Sequence, residues 1–133
     1  MLKIKRVAPA IPAQDLKRAR NFYEQTLGLK PAEEEPDGGA MYSAGETGFV
    51  VFPSTGKASG DHTQMALEVD DVPNAVVELK SKGVKIEEYD FPEFKSNEGL
   101  VDMPDGTKGA WFKDTEGNLI ALTQRVPAVT RTS

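Results

Sequence analysis

His62, Gln64 and Glu68 are the side chains whose types and spacing come closest to a chemical site. They lie in "HTQMALEVDD", residues 62 to 71, which alternates polar and apolar residues as a β-strand does, so residues two apart share a face. An imidazole, an amide and a carboxylate on one face can bind a metal ion or move a proton. His62 is the only histidine of the chain, and it follows the flexible stretch "KASGD". We therefore favour a solvated linker histidine over a ligand or a proton acceptor at the mouth of a cleft.

Glu68 has two interpretations that the sequence leaves open. By alternation it shares a face with Gln64 and Ala66, while Met65 and Leu67 point to the other side. In a partly apolar cleft its carboxylate would be a general base or would bind a cationic ligand. At the edge of a sheet it would be a solvated carboxylate with no chemical role.

Composition excludes several classes of function. The chain has 133 residues, no cysteine, 21 acidic and 16 basic residues, and a net charge of −5. The lack of cysteine excludes disulfides, zinc-thiolate sites, iron–sulfur clusters and a thiol nucleophile. The acidic balance disfavours a nucleic-acid partner, because such partners require clustered Lys and Arg. No apolar stretch resembles a signal peptide or a membrane span, so we expect a soluble cytoplasmic protein without a membrane partner.

The first half of the chain reads as strand, helix and three strands. An extended segment from Leu2 to Ala13 leads to Asp15, a typical N-cap residue. The following helix has apolar residues at helical spacing and ends at Gly28. The three strands are predicted around Leu29 to Glu35, Ala40 to Ala44 and Gly48 to Phe52, with glycine-containing turns between them.

The second half repeats this order after a polar linker at residues 53–61. A strand from His62 is followed by a helix that Asp71 caps and Gly83 ends, with Pro73 in its first turn. Further strands are predicted at Val84 to Tyr89, Thr107 to Lys113 and Asn118 to Gln124. Because one helix and four strands cannot bury both faces of a sheet, this internal repeat predicts two facing sheets around a shared cleft.

Three segments resemble the vicinal oxygen chelate superfamily, which includes glyoxalase I, extradiol dioxygenases, fosfomycin-modifying enzymes and bleomycin-sequestering proteins. They are "IPAQDLKRARNFYEQTLGLKP", "MALEVDDVPNAVVELKSKGV" and "GAWFKDTEGNLIALTQ". The resemblance covers about residues 3 to 125. It implies an α+β fold in which two βαβββ modules form a curled, incomplete eight-stranded barrel, usually in a homodimer. We expect a single domain at residues 1–127, with modules at 3–53 and 62–125 and a tail at 128–133.

The metalloenzymes of this superfamily hold one divalent ion with a ligand from each of four strands. Carried over by motif, the four positions are Ala8, Phe52, Gln64 and Ala121. Alanine and phenylalanine have no donor atom, and only the amide oxygen of Gln64 could coordinate an ion. The resemblance therefore implies the fold without the metal, and we expect no metal and no other cofactor, with a divalent ion as the alternative.

The cleft predicted by alternation is lined mostly by small and apolar residues, a composition common in small-molecule sites. Trp111 alternates with Phe112, and on the cleft side it would offer a planar ligand a stacking surface. Tyr42 would add a hydroxyl group. Residues 87–106 have no clear periodicity and contain Phe91 and Phe94, which suggests a lid or a subunit contact. The predicted ligand-binding residues are Ala8, Phe52, Gln64, Glu68, Trp111 and Ala121.

Three functional hypotheses follow. The first is a metal-free protein, like the antibiotic-binding branch of the superfamily, that binds a small organic molecule in an apolar cleft and forms a homodimer. The second is a glyoxalase- or dioxygenase-like lyase or isomerase, either with a rearranged metal site on His62, Gln64 and Glu68 or with Glu68 as its base. The third is a regulatory or interaction module whose cleft is filled by its own side chains.

Overall fold

The computed structural model describes residues 1–92 and 94–125, which form two compact units. Unit 1 consists of Met1–Ser59 and Asp114–Asn118, and unit 2 consists of Gly60–Lys113 and the described residues from Leu119 onward. Each unit contains one four-stranded sheet and one main helix. The fold class is α+β, as the sequence predicts. The predicted domain bounds stay predictions, and the predicted tail at 128–133 lies outside the described residues.

The sheet of unit 1 has the strand order β1-β4-β3-β2, with β1 parallel to β4 and the other pairs antiparallel. Its strands are β1 (Ala10–Ala13), β2 (Pro31–Glu34), β3 (Ala40–Ala44) and β4 (Thr47–Pro53). Alternation assigns the two faces: Ile11 and Val51 are opposite each other and fully buried, whereas Ala10 and Val50 are opposite each other and at least partly exposed. The predicted alternation of β1 and β4 is therefore observed.

The first helix consists of α1 (Leu16–Asn21) and a π-helical turn at Phe22–Thr26. Asp15 is the N-cap, and its carboxylate accepts a hydrogen bond of 3.0 Å from the amide of Arg18. In the π-helical turn the amide of Leu27 donates to the carbonyl of Phe22 at 3.0 Å, five residues back. Apolar spacing alone does not reveal this wider turn. Gly28 ends the segment with a φ of 75°, which favours glycine.

Unit 2 has the same topology, with the strand order β5-β10-β9-β8 and β5 parallel to β10. Its elements are β5 (Thr63–Glu68), α2 (Val72–Ser81), β6 (Asp90–Phe91), β7 (Phe94–Lys95), β8 (Val101–Asp102), β9 (Lys108–Lys113) and β10 (Leu119–Gln124). Strands β6 and β7 form a separate hairpin. The same mixed strand order in both units supports the internal repeat.

Helix α2 begins and ends at the predicted residues. The carboxylate of Asp71 accepts a 3.0 Å hydrogen bond from the amide of Asn74, and Gly83 has a φ of 85°. Val72, Val76 and Leu79 are the buried residues of the helix. The buried residues of β9 and β10 include Phe112, Ile120 and Leu122, which alternate with the residues of the opposite face.

Two predicted strands are wrong in extent. Val84 to Tyr89 does not form a strand. Within this segment Ile86 makes a single bridge to Phe112 of β9, and farther along the same edge of β9 the pairing strand is β8. The short connection from β8 to β9, closed by a 2.8 Å hydrogen bond from the amide of Met103 to the carbonyl of Thr107, brings the two strands together locally. The strand predicted from Leu2 to Ala13 is confined to Ala10–Ala13, and residues 1–9 lie outside any helix or strand.

Among the described residues, no helix is both long enough and apolar enough to span a membrane.

Candidate functional site

A row of three residues crosses the sheet of unit 2 on the face opposite α2. Ala121 of β10 lies between Ala66 of β5 and Trp111 of β9 in the strand register. Ala66 is exposed, Trp111 is partly exposed, and Ala121 is 4% exposed. Two methyl groups beside an indole ring leave the middle of this face low and apolar.

The indole of Trp111 is held in place from two directions. Its Nε1 donates a hydrogen bond of 3.1 Å to the Oγ1 of Thr63. The far edge of the ring lies over Gly109, where a Cβ atom would be only 3.2 Å from Cη2 of the indole. Gly109 therefore provides the space in which the ring lies against its own strand.

Two further aromatic rings contact this indole, and a third stacks on one of them. Tyr89 and Phe94 make edge contacts with Trp111, with centroid distances of 5.6 and 5.2 Å, and Phe91 stacks on Tyr89 at 6.4 Å. These distances lie within the range in which aromatic pairs attract each other. We call Tyr89, Phe91, Phe94 and Trp111 the aromatic cluster.

The β6-β7 hairpin brings the aromatic cluster together. Phe91 and Phe94 are paired across the hairpin, and Phe91 is 58% exposed. At the base of the hairpin, the amide of Tyr89 donates to the Oγ of Ser96 at 2.8 Å, and the amide of Ser96 donates to the carbonyl of Tyr89 at 2.9 Å. Burial, and then the nearby charge of Glu87, raise the pKa of Tyr89, so its phenol stays neutral at physiological pH.

The polar residues predicted for this face lie around the row. Gln64 is partly exposed in β5, and His62 is exposed one residue before that strand begins. The Oε1 of Glu68 is 2.9 Å from the Nε of Arg125, and both side chains are more than 60% exposed. This geometry agrees with the interpretation of Glu68 as a solvated carboxylate at the sheet edge.

Ala8 and Phe52, the predicted ligand-binding residues of unit 1, are both partly exposed. Phe52 lies opposite Pro12 on the sheet face that points away from α1, and Ala8 precedes β1. Tyr42, by contrast, is fully buried on the helix side, and its hydroxyl donates to Oε2 of Glu24 at 2.7 Å. The suggestion that Tyr42 offers its hydroxyl to a ligand is therefore wrong, because the side chain is buried on the helix side and the hydroxyl is bonded to Glu24.

The residues at the four inherited ligand positions do not fit a divalent metal ion. In unit 1, Ala8 and Phe52 have no donor atom, and in unit 2 neither does Ala121, so Gln64 has only one amide oxygen to offer. Across the part of the chain that the structure describes, no three His, Asp or Glu side chains are grouped closely enough to hold an ion.

The turn Asp114–Asn118 of unit 1 contains a buried polar network that the sequence indicates only as a turn. Asp114 is 6% exposed, and one of its oxygens accepts from the amides of Glu116 and Asn118 at 2.8 and 2.9 Å. The other oxygen accepts from the hydroxyl of Tyr23 at 2.6 Å and from the Nδ2 of Asn118 at 2.8 Å. Because its buried carboxylate already accepts four hydrogen bonds, this turn has a structural role rather than a reactive one.

A second carboxylate fastens the same turn to the start of α1. Glu116 accepts from the amide of Asp15 at 2.9 Å and from Nε of Arg18 at 2.8 Å. Burial alone would raise the pKa of Glu116, but hydrogen bonds from Arg18, the Asp15 amide and Thr115 prevail and hold this pKa below its ordinary value of 4.5. Burial raises the pKa of Tyr23, and the adjacent Asp114 raises it further, so the phenol remains a hydrogen-bond donor.

Comparisons with known proteins identify the family. A model of the Glyoxalase/Bleomycin resistance protein/Dioxygenase superfamily matches residues 3–122, and the chain belongs to this superfamily. No curated protein sequence matches the chain.

Solved structures of the same fold are distant in sequence. Lactoylglutathione lyase from Agrobacterium tumefaciens has a TM-score of 0.67 at 17% identity, over 91% of this chain and 94% of that one. TnmS3, an antibiotic binding protein from Streptomyces sp. CB03234, has a TM-score of 0.64 at 20% identity, over 95% of this chain and 99% of that one. At these identities the likeness shows the fold alone.

Proposed function

We propose that this protein is a metal-free binding protein that takes up a small, planar organic molecule. The observation that carries the proposal is the aromatic cluster beside the small residues Ala66 and Ala121. A planar molecule lying on Ala66 and Ala121 contacts the rings at its edge or face and removes their exposed apolar area from water.

Gln64 supplies the directed polar group of this proposed site. It is partly exposed in β5, the strand that also carries Ala66, and its amide can both donate and accept a hydrogen bond. We further propose that Ala8 and Phe52 of unit 1 bind the ligand, and that Glu68 contacts it at the edge of the site. A low apolar floor with one or two polar groups is the usual composition of a small-molecule site.

The lack of side-chain donor atoms at three of the four ligand positions favours binding over catalysis. Sequestration requires complementarity of shape and no catalytic group, so the replacement of donors by Ala8, Phe52 and Ala121 does not impair it. One form of the enzyme alternative needs Glu68 as a base, and in the structure this carboxylate is paired with Arg125. TnmS3, a structure of the same fold, is described as an antibiotic binding protein.

The proposal also includes the cellular setting. We place the protein in the cytoplasm as a homodimer without a nucleic-acid or membrane partner, and the net charge of −5 supports the exclusion of nucleic acid.

The single tryptophan makes the proposal directly testable, because Trp111 is the only indole in the chain. A panel of planar aromatic compounds is titrated against the protein while tryptophan emission is recorded, and hits are checked by isothermal titration calorimetry. We expect saturable changes in emission and a loss of affinity of at least about tenfold in Trp111→Leu. Val77→Ser, a change of an exposed apolar residue on α2, is the matched control and should bind normally.

Two results would contradict the proposal. One is a hit whose affinity is the same in Trp111→Leu and in the control. The other is a stoichiometric, tightly held divalent metal in elemental analysis of the purified protein, which would support the enzyme alternative with a rearranged site on His62, Gln64 and Glu68.

A further inference from the structure

One hydrogen bond in unit 2 joins two strands that are not neighbours. It lies on the sheet face that carries Ala66, Ala121 and Trp111, which we call the ligand face. The Nε1 of Trp111 in β9 donates to the Oγ1 of Thr63 in β5 at 3.1 Å, and β10 lies between these two strands. Because neighbouring strands are about 4.8 Å apart, the two side chains together span about 10 Å of the sheet. The indole N–H therefore points across β10 toward β5.

A β-bulge places Thr63 on the ligand face. The register between β5 and β10 shifts at this point, so that Gln64 has no opposite residue in β10. Strict alternation would put Thr63 on the same side as Met65, which is 8% exposed on the other face of the sheet. An extra residue in a strand redirects the side chains beside it. Here it brings the hydroxyl of Thr63 to the face on which Trp111 lies, which strand alternation in the sequence cannot reveal.

Other contacts hold the indole ring in place but do not decide which way its N–H faces. The ring makes edge contacts with Tyr89 and Phe94, and a Cβ atom added at Gly109 would lie 3.2 Å from its Cη2. Apolar contacts are not directional, and the χ2 torsion of a tryptophan has two broad minima. A hydrogen bond is directional, so the bond to Thr63 selects one of the two orientations.

The same bond satisfies the only polar atom of the ring. An indole N–H is a donor and needs an acceptor from elsewhere. If a planar molecule covered the ring while this N–H had no acceptor, the desolvation of the N–H would weaken binding. With Thr63 as its acceptor, the N–H of Trp111 is satisfied before a ligand arrives.

We propose that Thr63 is a positioning residue of the binding site, which fixes the orientation of Trp111 so that a ligand meets the carbon atoms of the indole and not its N–H. The class of ligand that fits is a planar ring system that needs no hydrogen-bond acceptor where it contacts the indole. For the ligand this role rests on the proposed function, whereas the orientation of the ring is a property of the free protein.

Two substitutions separate the hydroxyl of Thr63 from its methyl group. Thr63→Val keeps the shape and removes the acceptor, and Thr63→Ser keeps the acceptor and removes the methyl group. Thr47→Val is the matched control, because Thr47 is also exposed and also begins its strand, but it belongs to unit 1. None of the three substitutions removes a ring of the aromatic cluster.

The orientation of the ring is measured in the free protein. Trp111 is the only tryptophan, so it gives a single indole N–H signal in NMR spectra of isotope-labelled protein. A hydrogen bond of ordinary strength corresponds to a factor of about three to ten in an equilibrium, so we expect this proton to exchange with water faster by about that factor in Thr63→Val. The order parameter of the N–H should also fall. Thr63→Ser and Thr47→Val should keep the wild-type values.

The effect on binding is measured by NMR titration with naphthalene and quinoline. These planar probes have the same shape, and quinoline differs by one ring nitrogen that accepts a hydrogen bond. We expect Thr63→Val to bind naphthalene about three to ten times more weakly than the wild type does. The loss should be smaller for quinoline, because its nitrogen can accept from the freed N–H. Thr63→Ser and Thr47→Val should bind both probes as the wild type does.

Several results would overturn the proposal. If the indole proton of Thr63→Val exchanged and moved as in the wild type, the aromatic contacts alone would orient the ring. If Thr63→Ser did not keep the wild-type values, the methyl group rather than the hydroxyl would be responsible. An unchanged affinity for naphthalene in Thr63→Val, or an equal loss for both probes, would mean that the N–H does not affect the ligand contact.

The two arms of the experiment separate this role from the proposed function. If neither probe nor any other planar compound binds the wild type, the proposed function fails, and the exchange rate and order parameter of the free protein still decide whether Thr63 orients the ring. If planar compounds bind and depend on Trp111, but Thr63→Val matches the wild type in both arms, only the role of Thr63 fails.

Discussion

The two units share a sheet topology but use their polar and aromatic residues differently. In unit 1 Asp114 is 6% exposed, and its carboxylate accepts four hydrogen bonds at 2.6 to 2.9 Å. In unit 2 the aromatic cluster is partly exposed, and Phe91 is 58% exposed. Satisfied and buried polar groups stabilise a fold, whereas clustered and exposed rings are characteristic of a binding surface.

This difference explains why one motif of the chain is a poor guide to function. The segment "DTEGN" contains two carboxylates and an amide, the residue types of a catalytic site, yet both carboxylates and the Nδ2 of Asn118 have structural partners, and only the buried Oδ1 of Asn118 has none among the described residues. Tyr89, Phe91 and Phe94 lie in a segment that looks irregular in the sequence, yet together with Trp111 they form the aromatic cluster.

Replacement of Asp114 should have the largest effect on stability among these substitutions. Asp114→Ala leaves the hydroxyl of Tyr23 and two backbone amides without their acceptor, so we expect the free energy of unfolding to fall by about 3 kcal/mol or more. Denaturant titration measures the change. Asp102→Ala is the matched control, because its carboxylate is 70% exposed, and it should change stability by no more than about 0.5 kcal/mol. Equal losses in both variants would contradict the structural role of the turn.

Removal of one hydroxyl from each unit sharpens the same comparison. Tyr23→Phe deletes a buried donor to a carboxylate and should lower the free energy of unfolding by about 1.5 to 3 kcal/mol. Tyr89→Phe makes the same chemical change in the aromatic cluster, where the side chain is partly exposed, and we expect less than about 0.5 kcal/mol. Thermal and chemical unfolding report both values. If Tyr89→Phe lost more stability than Tyr23→Phe, the aromatic cluster rather than the Asp114 turn would be the structural support, and the contrast between the two regions would be wrong.

The fold was largely predictable because its local signals agree with its packing. Asp15 and Asp71 cap their helices as predicted, and the alternation of β4 correctly separates buried Val51 from partly exposed Val50. These features depend on neighbouring residues and on the period of the strand. The sequence also indicated that Trp111 and Phe112 point to opposite faces of β9, and it is Phe112 that is fully buried.

The errors lie where distant residues compete for one edge. Ile86 and Val101 both pair with β9, and only the tertiary structure decides how the edge is divided between them. The sequence singled out Trp111 as a stacking surface and Phe91 and Phe94 as parts of a lid, but it gave no reason to join them. The available signal was two phenylalanines, Phe91 and Phe94, on either side of the pair Pro92-Glu93, which is the spacing of a two-residue hairpin turn with both rings at its end.

Gly109 offers a way to alter the aromatic cluster without removing a ring. In Gly109→Ala the new methyl group meets the indole of Trp111 at 3.2 Å, so the ring must shift by a few tenths of an ångström toward solvent. The gain in strand propensity offsets part of the strain, and we expect stability to change by no more than about 1 kcal/mol. Tryptophan emission should move to longer wavelength, and affinity for any planar ligand should fall. Gly56→Ala, where only the Ser54 hydroxyl is near, should leave the emission unchanged.

The smallest expected effect is a dependence of unit 1 on pH. The pKa of Glu116 lies below 4.5 in the folded protein, so its contribution to stability is present above the unfolded pKa and is lost as the pH falls through the folded pKa. Arg18 is 55% exposed, and solvent therefore screens the ion pair. We expect Glu116→Gln to reduce the free energy of unfolding by about 0.5 to 1 kcal/mol at neutral pH. The loss of unfolding free energy between neutral and acidic pH should become smaller than in the wild type by a similar amount.

Denaturant titrations at neutral pH and at a pH well below 4.5 measure this difference. Glu78→Gln on the exposed face of α2 is the control and should follow the wild type at both values. If Glu116→Gln lost as much stability on acidification as the wild type, the carboxylate that joins the turn to α1 would not be a titrating support of unit 1. The turn would then depend on Asp114 and Tyr23 alone, and the contrast with the aromatic cluster would rest on that single buried network.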